Sequence, residues 1–147
     1  MDPRKSKLPV LTVLLLGCIL TLSIPTTGQM KHWIAPESAD TLKNENLLNP
    51  SWIAEGKLLY MAQCVVCHGE TGRGEGDSGF GLEVPPGDFN DDYTRSESDG
   101  AIFWKITYGK LPMPQFQSRA TETQRWQMVA YIRELQRSYG SWQVKKK

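Results

Sequence analysis

Residues 64–68 read Cys-Val-Val-Cys-His, and this short motif constrains the fold of the chain more than any other feature. On one turn of helix, Cys67 lies three residues and His68 four residues after Cys64, so the three side chains project to the same side. This spacing is the attachment signature of c-type haem, in which two sulfurs bond the vinyl groups of one porphyrin and the imidazole reaches the iron. The motif therefore predicts one covalent haem c, attached through Cys64 and Cys67 and ligated by His68.

Other uses of paired cysteines fit this chain less well. A thioredoxin-type redox pair belongs in a βαβ setting, and the sequence has no alternation of the β type. A zinc site needs four ligands, and a chain with three cysteines and two histidines has no second cysteine–histidine pair. A plain structural disulfide would leave His68 and the glycine-rich segment after it without a role.

Helix signals elsewhere in the chain indicate the fold class. Asn49 before Pro50 is typical of a helix start, and Thr121 with Gln124 three residues later forms a capping box. The predicted helices run from Pro50 towards Cys64, from Asp99 to Tyr108, and from Thr121 to about Arg137. We therefore predict an all-α fold of three or four helices joined by long loops.

The loops are long for so small a domain, which indicates that something besides the chain itself organises them. Residues 69–87 hold seven glycines and two prolines, and residues 110–117 hold two further prolines. The Gly-Arg-Gly-Glu-Gly run at 72–76 follows no predicted strand and opens no helix, so a phosphate-binding loop is disfavoured. We expect these glycines to let the backbone pass close over the porphyrin.

Residues 1–28 are predicted to be an export signal or an anchor. Residues 1–7 are basic, and the 23 residues 8–30 carry no charge. The leader could be cleaved after the small residues at 26–28, be lipidated at Cys18 in its Leu-Leu-Gly-Cys context, or stay as an anchor that just spans a bilayer. In each case we expect the rest of the chain on the periplasmic side of the bacterial inner membrane, soluble or anchored.

The charge balance bears on the partners of the chain. Formal net charge is +1, and the lysines and arginines form no sustained basic face, so the sequence argues against a nucleic-acid partner held by phosphate contacts. Residues 29–49 have little periodicity and are predicted to form an extended arm before a domain over residues 50–140. Residues 141–147 end in three lysines and are interpreted as a basic, solvated tail.

The iron needs a sixth ligand or an open face, and the sequence offers several candidates. They are Met30, His32, Met61, Met113 and Met128. Met61 and Met128 fall within predicted helices and are most simply core residues. Met113 lies in a loop after a helix, where Pro112 and Pro114 stiffen the backbone on both sides and forbid helix. Met113 is therefore the favoured sixth ligand, and a thioether there raises the reduction potential relative to a second histidine.

Several of these segments together resemble class I c-type cytochromes. The residues that carry the resemblance are 56–60, 64–68, 72–76 and 113–116, and residues 126–135 are similar to the C-terminal helix of that family. The resemblance covers roughly residues 52–136 of the chain. In addition, segments 32–36, 38–44 and 99–106 are similar to small mono-haem cytochromes of Bacteroidetes respiratory chains.

The resemblance implies a cytochrome c-like fold around one covalent haem, with His68 as the proximal ligand and Met113 as the distal ligand. A backbone carbonyl of Pro85 or Pro86 would accept the remaining ring proton of His68 and fix its tautomer. The implied haem wall consists of Leu82, Phe89, Trp104 and Phe116.

The resemblance also assigns a role to Gly56. A residue without a side chain at this point would let the first and last helices cross closely. Tyr60 would lie at that crossing, together with Tyr131 or Ile132.

Three functions are compatible with these features. The first is an electron carrier, free or as a respiratory-complex subunit, with a quinol-oxidising complex, a terminal oxidase or another cytochrome as redox partner. The second is a haem enzyme or gas sensor with an open distal face, such as a small peroxidase, which would require Met113 to be a packing residue. The third is an assembly subunit whose haem is structural. The arm at 29–49 would then wrap a partner, although it could equally cover its own domain.

Overall fold

The computed structural model describes the backbone of residues 32–145 and the side chains up to residue 140. One compact unit starts at Trp33, and the elements below belong to it. The α-helices of the described part are α1 (Pro50–Gln63), α2 (Val65–His68), α3 (Asp92–Ser96), α4 (Asp99–Tyr108) and α5 (Glu122–Lys145), and 3-10 helices cover Glu37–Thr41 and Asp77–Gly79. The predicted cleavage, lipidation at Cys18 and anchoring fall outside these residues.

Helices and loops make up the whole of the described part. An isolated β-bridge between Lys110 and Met113 is the extent of β-structure within residues 32–145. The predicted all-α class is therefore confirmed. None of the helices in the described range is long and apolar enough to cross a membrane.

Helix α1 begins where the sequence predicts. The Asn49 side chain accepts a hydrogen bond from the backbone N–H of Ser51 at 2.9 Å, and Pro50 is the first helical residue. Together they satisfy one free donor of the first turn and preset its backbone angle. The helix continues to Gln63 and ends at the cysteine pair.

Helices α1 and α5 cross at Gly56, as expected. A Cβ atom at Gly56 would lie 1.9 Å from the backbone oxygen of Gln127, so any other residue would force the two helices apart. Beside the crossing, the rings of Tyr60 and Tyr131 are tilted with centroids 5.2 Å apart. The close approach fixes which face of α1 enters the core.

The core lies between α1, α4 and α5. Its largest fully buried side chains are Tyr60 and Val129 at 0% exposure and Met128 at 1%. Met61 was expected in the core beside Met128, but it is 38% exposed, so that prediction is wrong. Its helix turns the face that carries Gly56 and Tyr60 towards α5, and Met61 is one residue past that face.

The described part of the arm packs on its own domain. Ala39 is 1% exposed, and its carbonyl oxygen would lie 1.9 Å from a Cβ atom at Gly100 in α4. The Trp33 and Trp104 rings contact edge-on with centroids 6.0 Å apart. The arm is therefore not extended throughout, since it forms a short 3-10 helix against α4.

The C-terminal helix begins at the predicted capping box. The backbone N–H of Thr121 donates to Oε1 of Gln124 at 2.8 Å, and the backbone N–H of Gln124 donates to the Thr121 hydroxyl at 3.2 Å. The predicted end near Arg137 is wrong, because the helix reaches Lys145. No proline follows Arg137, and a single glycine costs a helix only about 1 kcal/mol.

Candidate functional site

The cysteine–histidine motif forms the turn at which α1 gives way to α2. The backbone N–H groups of Cys67 and His68 donate to the carbonyl of Cys64 at 3.1 and 2.9 Å. This helical turn places the three side chains on one side, as the spacing predicts. Both thiols are free and half-buried. Burial, and then the neighbouring Cys67, raises the pKa of the Cys64 thiol to about 12.

The imidazole of His68 is half-buried and uncharged. Burial lowers its pKa to about 4, against the opposing effects of the Gly87 backbone and the Glu75 charge. A neutral imidazole is the form that ligates a metal. Its Nδ1 atom is buried without a hydrogen-bond partner. The effect on the pKa shows that the Gly87 backbone lies close to the imidazole ring. No acceptor, however, meets hydrogen-bond geometry at Nδ1.

The carbonyl predicted to fix this ring was that of Pro85 or Pro86. The backbone group that influences the ring is instead that of Gly87, one residue further along. The Pro86 carbonyl oxygen packs against the backbone of Gly74, 2.4 Å from where a Cβ atom of that glycine would be.

The glycine-rich loop packs directly onto the motif turn. The backbone N–H of Gly74 donates to the carbonyl of His68 at 3.0 Å, and that of Gly76 donates to the carbonyl of Cys67 at 3.2 Å. A Cβ atom at Gly76 would lie 2.5 Å from the carbonyl oxygen of Val65. The glycines thus permit close approach to the backbone of the motif itself.

Two polar side chains organise the segment after His68, and the sequence patterns did not reveal either role. The buried hydroxyl of Tyr60 donates to the carbonyl of Gly69 at 2.6 Å. The Glu75 carboxylate accepts hydrogen bonds from the backbone N–H of Thr71 at 3.1 Å and of Arg73 at 2.7 Å, and also from the Thr71 hydroxyl. The one available signal was local, a glutamate within a glycine-rich turn.

Of the four predicted wall residues, Phe89 lies against the motif. Its ring stacks on the His68 imidazole with centroids 4.6 Å apart and planes 22° apart. Phe116 is 4% exposed within the main core, and Leu82 is half-buried. Trp104 contacts Trp33 of the arm instead.

Met113 lies in the proline-stiffened loop after α4, as predicted. Its backbone exchanges hydrogen bonds of 3.0 and 2.9 Å with that of Lys110, closing a tight turn. Its side chain is half-buried and packs against the same core cluster as Cys64 and Phe89. The alternative ligand His32 is exposed.

The residues present fit a covalently bound haem. Two free thiols and a neutral imidazole occupy one turn, and the donor set is that of haem c. The loops that follow the motif and α4 expose large apolar side chains, with Phe80 at 74%, Val84 at 58% and Leu111 at 88%. A porphyrin is an apolar ligand that such side chains would cover. Within the described residues, no cluster of His, Cys, Asp and Glu could hold a bare metal ion.

Comparison with known proteins bears on this site. A family model described as cytochrome c oxidase, cbb3-type, subunit III matches residues 52–132. The cytochrome bc1 complex cytochrome c subunit of Corynebacterium efficiens is 27% identical over 122 residues, which cover 77% of this chain and 36% of that protein. A chain of the Kuenenia stuttgartiensis reducing HAO-like protein complex superposes with a TM-score of 0.56 at 28% identity, over 65% of this chain and 48% of that one. The chain thus spans about a third of the length of the curated relative and about half of the structural one.

Proposed function

The chain belongs to the family of cytochrome c domains whose model is described as cytochrome c oxidase, cbb3-type, subunit III, and on that basis we propose that it carries single electrons through one covalent haem c. Membership of this family confirms the resemblance to c-type cytochromes and the cytochrome c-like fold. The haem, when bound, supplies one-electron exchange between Fe(III) and Fe(II).

The observation that carries this proposal is the 64–68 turn. Its free thiols would be consumed in two thioether bonds to the porphyrin, at Cys64 and Cys67. Burial keeps the His68 imidazole neutral, which leaves a ring nitrogen able to ligate iron. The hydrogen bonds of Tyr60, Gly74 and Gly76 hold the conformation of this turn in the folded chain.

We assign the second axial position to Met113. A soft thioether ligand favours the ferrous state and raises the reduction potential relative to a second imidazole. The tight turn with Lys110 and the contact with the core hold the Met113 side chain in place. With both axial positions filled, no position is left for a substrate, and we therefore propose a carrier rather than an enzyme.

The proposed setting is the exported side of the bacterial inner membrane, with a redox protein as partner. The leader at 1–28, which is first basic and then uncharged, supports export. Two similar proteins are a subunit of a cytochrome bc1 complex and a chain of an HAO-like protein complex, which supports a role within a respiratory assembly. A quinol-oxidising complex, a terminal oxidase or another cytochrome would each serve as partner.

Substitution of Met113 tests this function. We expect Met113→Ala to lower the reduction potential by on the order of 0.1 V, a fraction of the roughly 0.8 V that axial ligands span. The ferrous variant should also bind carbon monoxide, because its sixth position is open. Met61→Ala is the matched control, since Met61 is 38% exposed on α1. Rapid binding of carbon monoxide to the ferrous wild type, or equal effects of the two variants, would exclude the carrier function.

A further inference from the structure

The orientation of a metal-bound imidazole is usually set by its second nitrogen. That nitrogen donates to a carboxylate or a carbonyl, and the hydrogen bond fixes both the tautomer and the plane of the ring. In this chain Nδ1 of His68 is buried and has no hydrogen-bond partner. The Gly87 backbone acts on the ring without meeting hydrogen-bond geometry at Nδ1, which leaves a role for a second contact in determining how the ring is turned about its bond to the chain.

Phe89 makes a contact that can hold the His68 imidazole in one orientation. Its ring lies nearly parallel to the imidazole, with an interplanar angle of 22° and centroids 4.6 Å apart. Stacked faces restrict rotation in a way that contact with an aliphatic side chain does not. Tyr60, which is fully buried, meets Phe89 edge-on at 6.4 Å and limits its movement.

The backbone of Phe89 is held from two directions. Its N–H donates to the carbonyl of Gly72 at 2.8 Å, and its carbonyl accepts from Nε2 of Gln136 at 2.8 Å. Gln136 is 5% exposed, and its Oε1 accepts from Arg133 at 2.8 Å. A Cβ atom at Gly72 would lie 2.7 Å from the Phe89 ring, so the absence of a side chain there makes room for the ring.

We infer that Phe89 is a positioning residue that sets the plane of the His68 imidazole, and that Gln136 of α5 holds Phe89 in place. This inference rests on the proposed role of His68 as an iron ligand. The plane of an axial imidazole orients the half-filled orbital of ferric iron. Phe89 and Gln136 thus act on the electronic structure of the centre without touching the metal.

The test uses the full-length protein with its haem, in the ferric state. The four haem methyl groups give paramagnetically shifted proton signals whose order and spread depend on the plane of the axial imidazole. We expect Phe89→Leu, which keeps an apolar side chain but removes the flat face, to change the order of these signals. Phe89→Tyr retains the ring and should keep the wild-type order.

A second variant tests whether Gln136 holds Phe89 in place. Gln136→Glu keeps an acceptor for Arg133 but replaces the donor that faces the Phe89 carbonyl, so it should change the signal order in the same direction as Phe89→Leu. Phe103→Leu is the matched control, because Phe103 stacks on Trp126 in the core at 4.1 Å. It should lower stability and leave the signal order unchanged.

The outcomes separate this inference from the function it rests on. If Phe89→Leu and Gln136→Glu both retain the wild-type signal order, Phe89 does not set the plane, and the Gly87 backbone is the remaining candidate. If Phe89→Leu does not fold, Gln136→Glu decides by itself. A wild-type protein that lacks a bound-histidine signal instead overturns the assignment of His68 as a ligand.

Discussion

At the scale of the residue, the same residue type serves different purposes at different positions, and glycine shows this most clearly. Gly56 lies where two helices touch, with no space for a Cβ atom, because Gln127 is 1.9 Å away. Gly140 lies within α5, and the nearest atom to its hypothetical Cβ is a flexible Arg95 nitrogen at 3.7 Å. The first position is determined by packing, and the second merely weakens a helix.

Substitution by alanine is expected to change the free energy of unfolding in opposite directions at these two glycines. Gly56→Ala should lower the free energy of unfolding by about 1–3 kcal/mol, because overpacking at the crossing exceeds the gain in helix propensity. Gly140→Ala should raise it by roughly 0.5–1 kcal/mol. Denaturant unfolding of the two haem-loaded variants measures both changes. Equal effects of the two substitutions would contradict the close crossing.

The free energy of unfolding is expected to depend on pH through the Glu75 carboxyl. Partial burial raises the pKa of this carboxyl, but the hydrogen bonds from Thr71 and Arg73 outweigh burial and hold the pKa below its ordinary value of 4.5. The ionised form therefore stabilises the fold above pH 4.5, and this contribution is lost as the pH falls through the lower, folded-state pKa.

We expect Glu75→Gln to cost about 1 kcal/mol at neutral pH, a modest value because the carboxylate is largely exposed. The difference between wild type and variant should stay constant from pH 7 to 5 and shrink below pH 4.5. Unfolding curves at several pH values measure it. A difference that grows on acidification would show that the carboxylate is not the stabilising form.

At the scale of the element, local signals located the helices, and packing decided their neighbours and lengths. The cap at Asn49 and the box at Thr121 start α1 and α5 as predicted. The short helix α3, Asp92–Ser96, was not predicted, although Asp91 caps it through the backbone N–H of Thr94. The docking of the 3-10 helix on α4 depends on Gly100, which no periodicity in the sequence marks.

That docking can be loosened at one position. A side chain at Gly100 would meet the carbonyl oxygens of Ala39 at 1.9 Å and Leu42 at 2.7 Å. We expect Gly100→Ala to push the arm away and to raise amide exchange in residues 37–42 about ten- to a hundredfold, the equivalent of 1–3 kcal/mol of overpacking. Gly140→Ala serves as the control. Unchanged exchange in the arm would mean that α4 shifts instead.

At the scale of the whole molecule, the helices enclose only part of the apolar surface. Large apolar side chains remain exposed on the loops, among them Phe80, Val84 and Leu111. Small domains bury too little surface to be stable without additional help. A ligand that binds only the folded chain contributes directly to its stability.

Loss of the haem should therefore disrupt the tertiary packing of the chain. We expect the Cys64→Ala/Cys67→Ala chain, purified without haem, to be unfolded or a molten globule, with near-UV circular dichroism lost and dye-accessible apolar surface gained. Wild-type pigment should stay with the polypeptide in acidified organic solvent, because thioether bonds hold it. A compact haem-free chain with native near-UV signal would contradict this prediction.

What the sequence determined by itself is what neighbouring residues can specify. Three features depend on residues within about five positions of one another, so they can be predicted from the sequence alone. They are the 64–68 turn, the caps of α1 and α5, and the stiffened loop of Met113. The stack of Phe89 on His68, the hydrogen bond from Tyr60 to Gly69 and the support from Gln136 were decided only by the tertiary structure. These contacts join segments that lie apart in the sequence, and a chain position alone does not say which surfaces will meet.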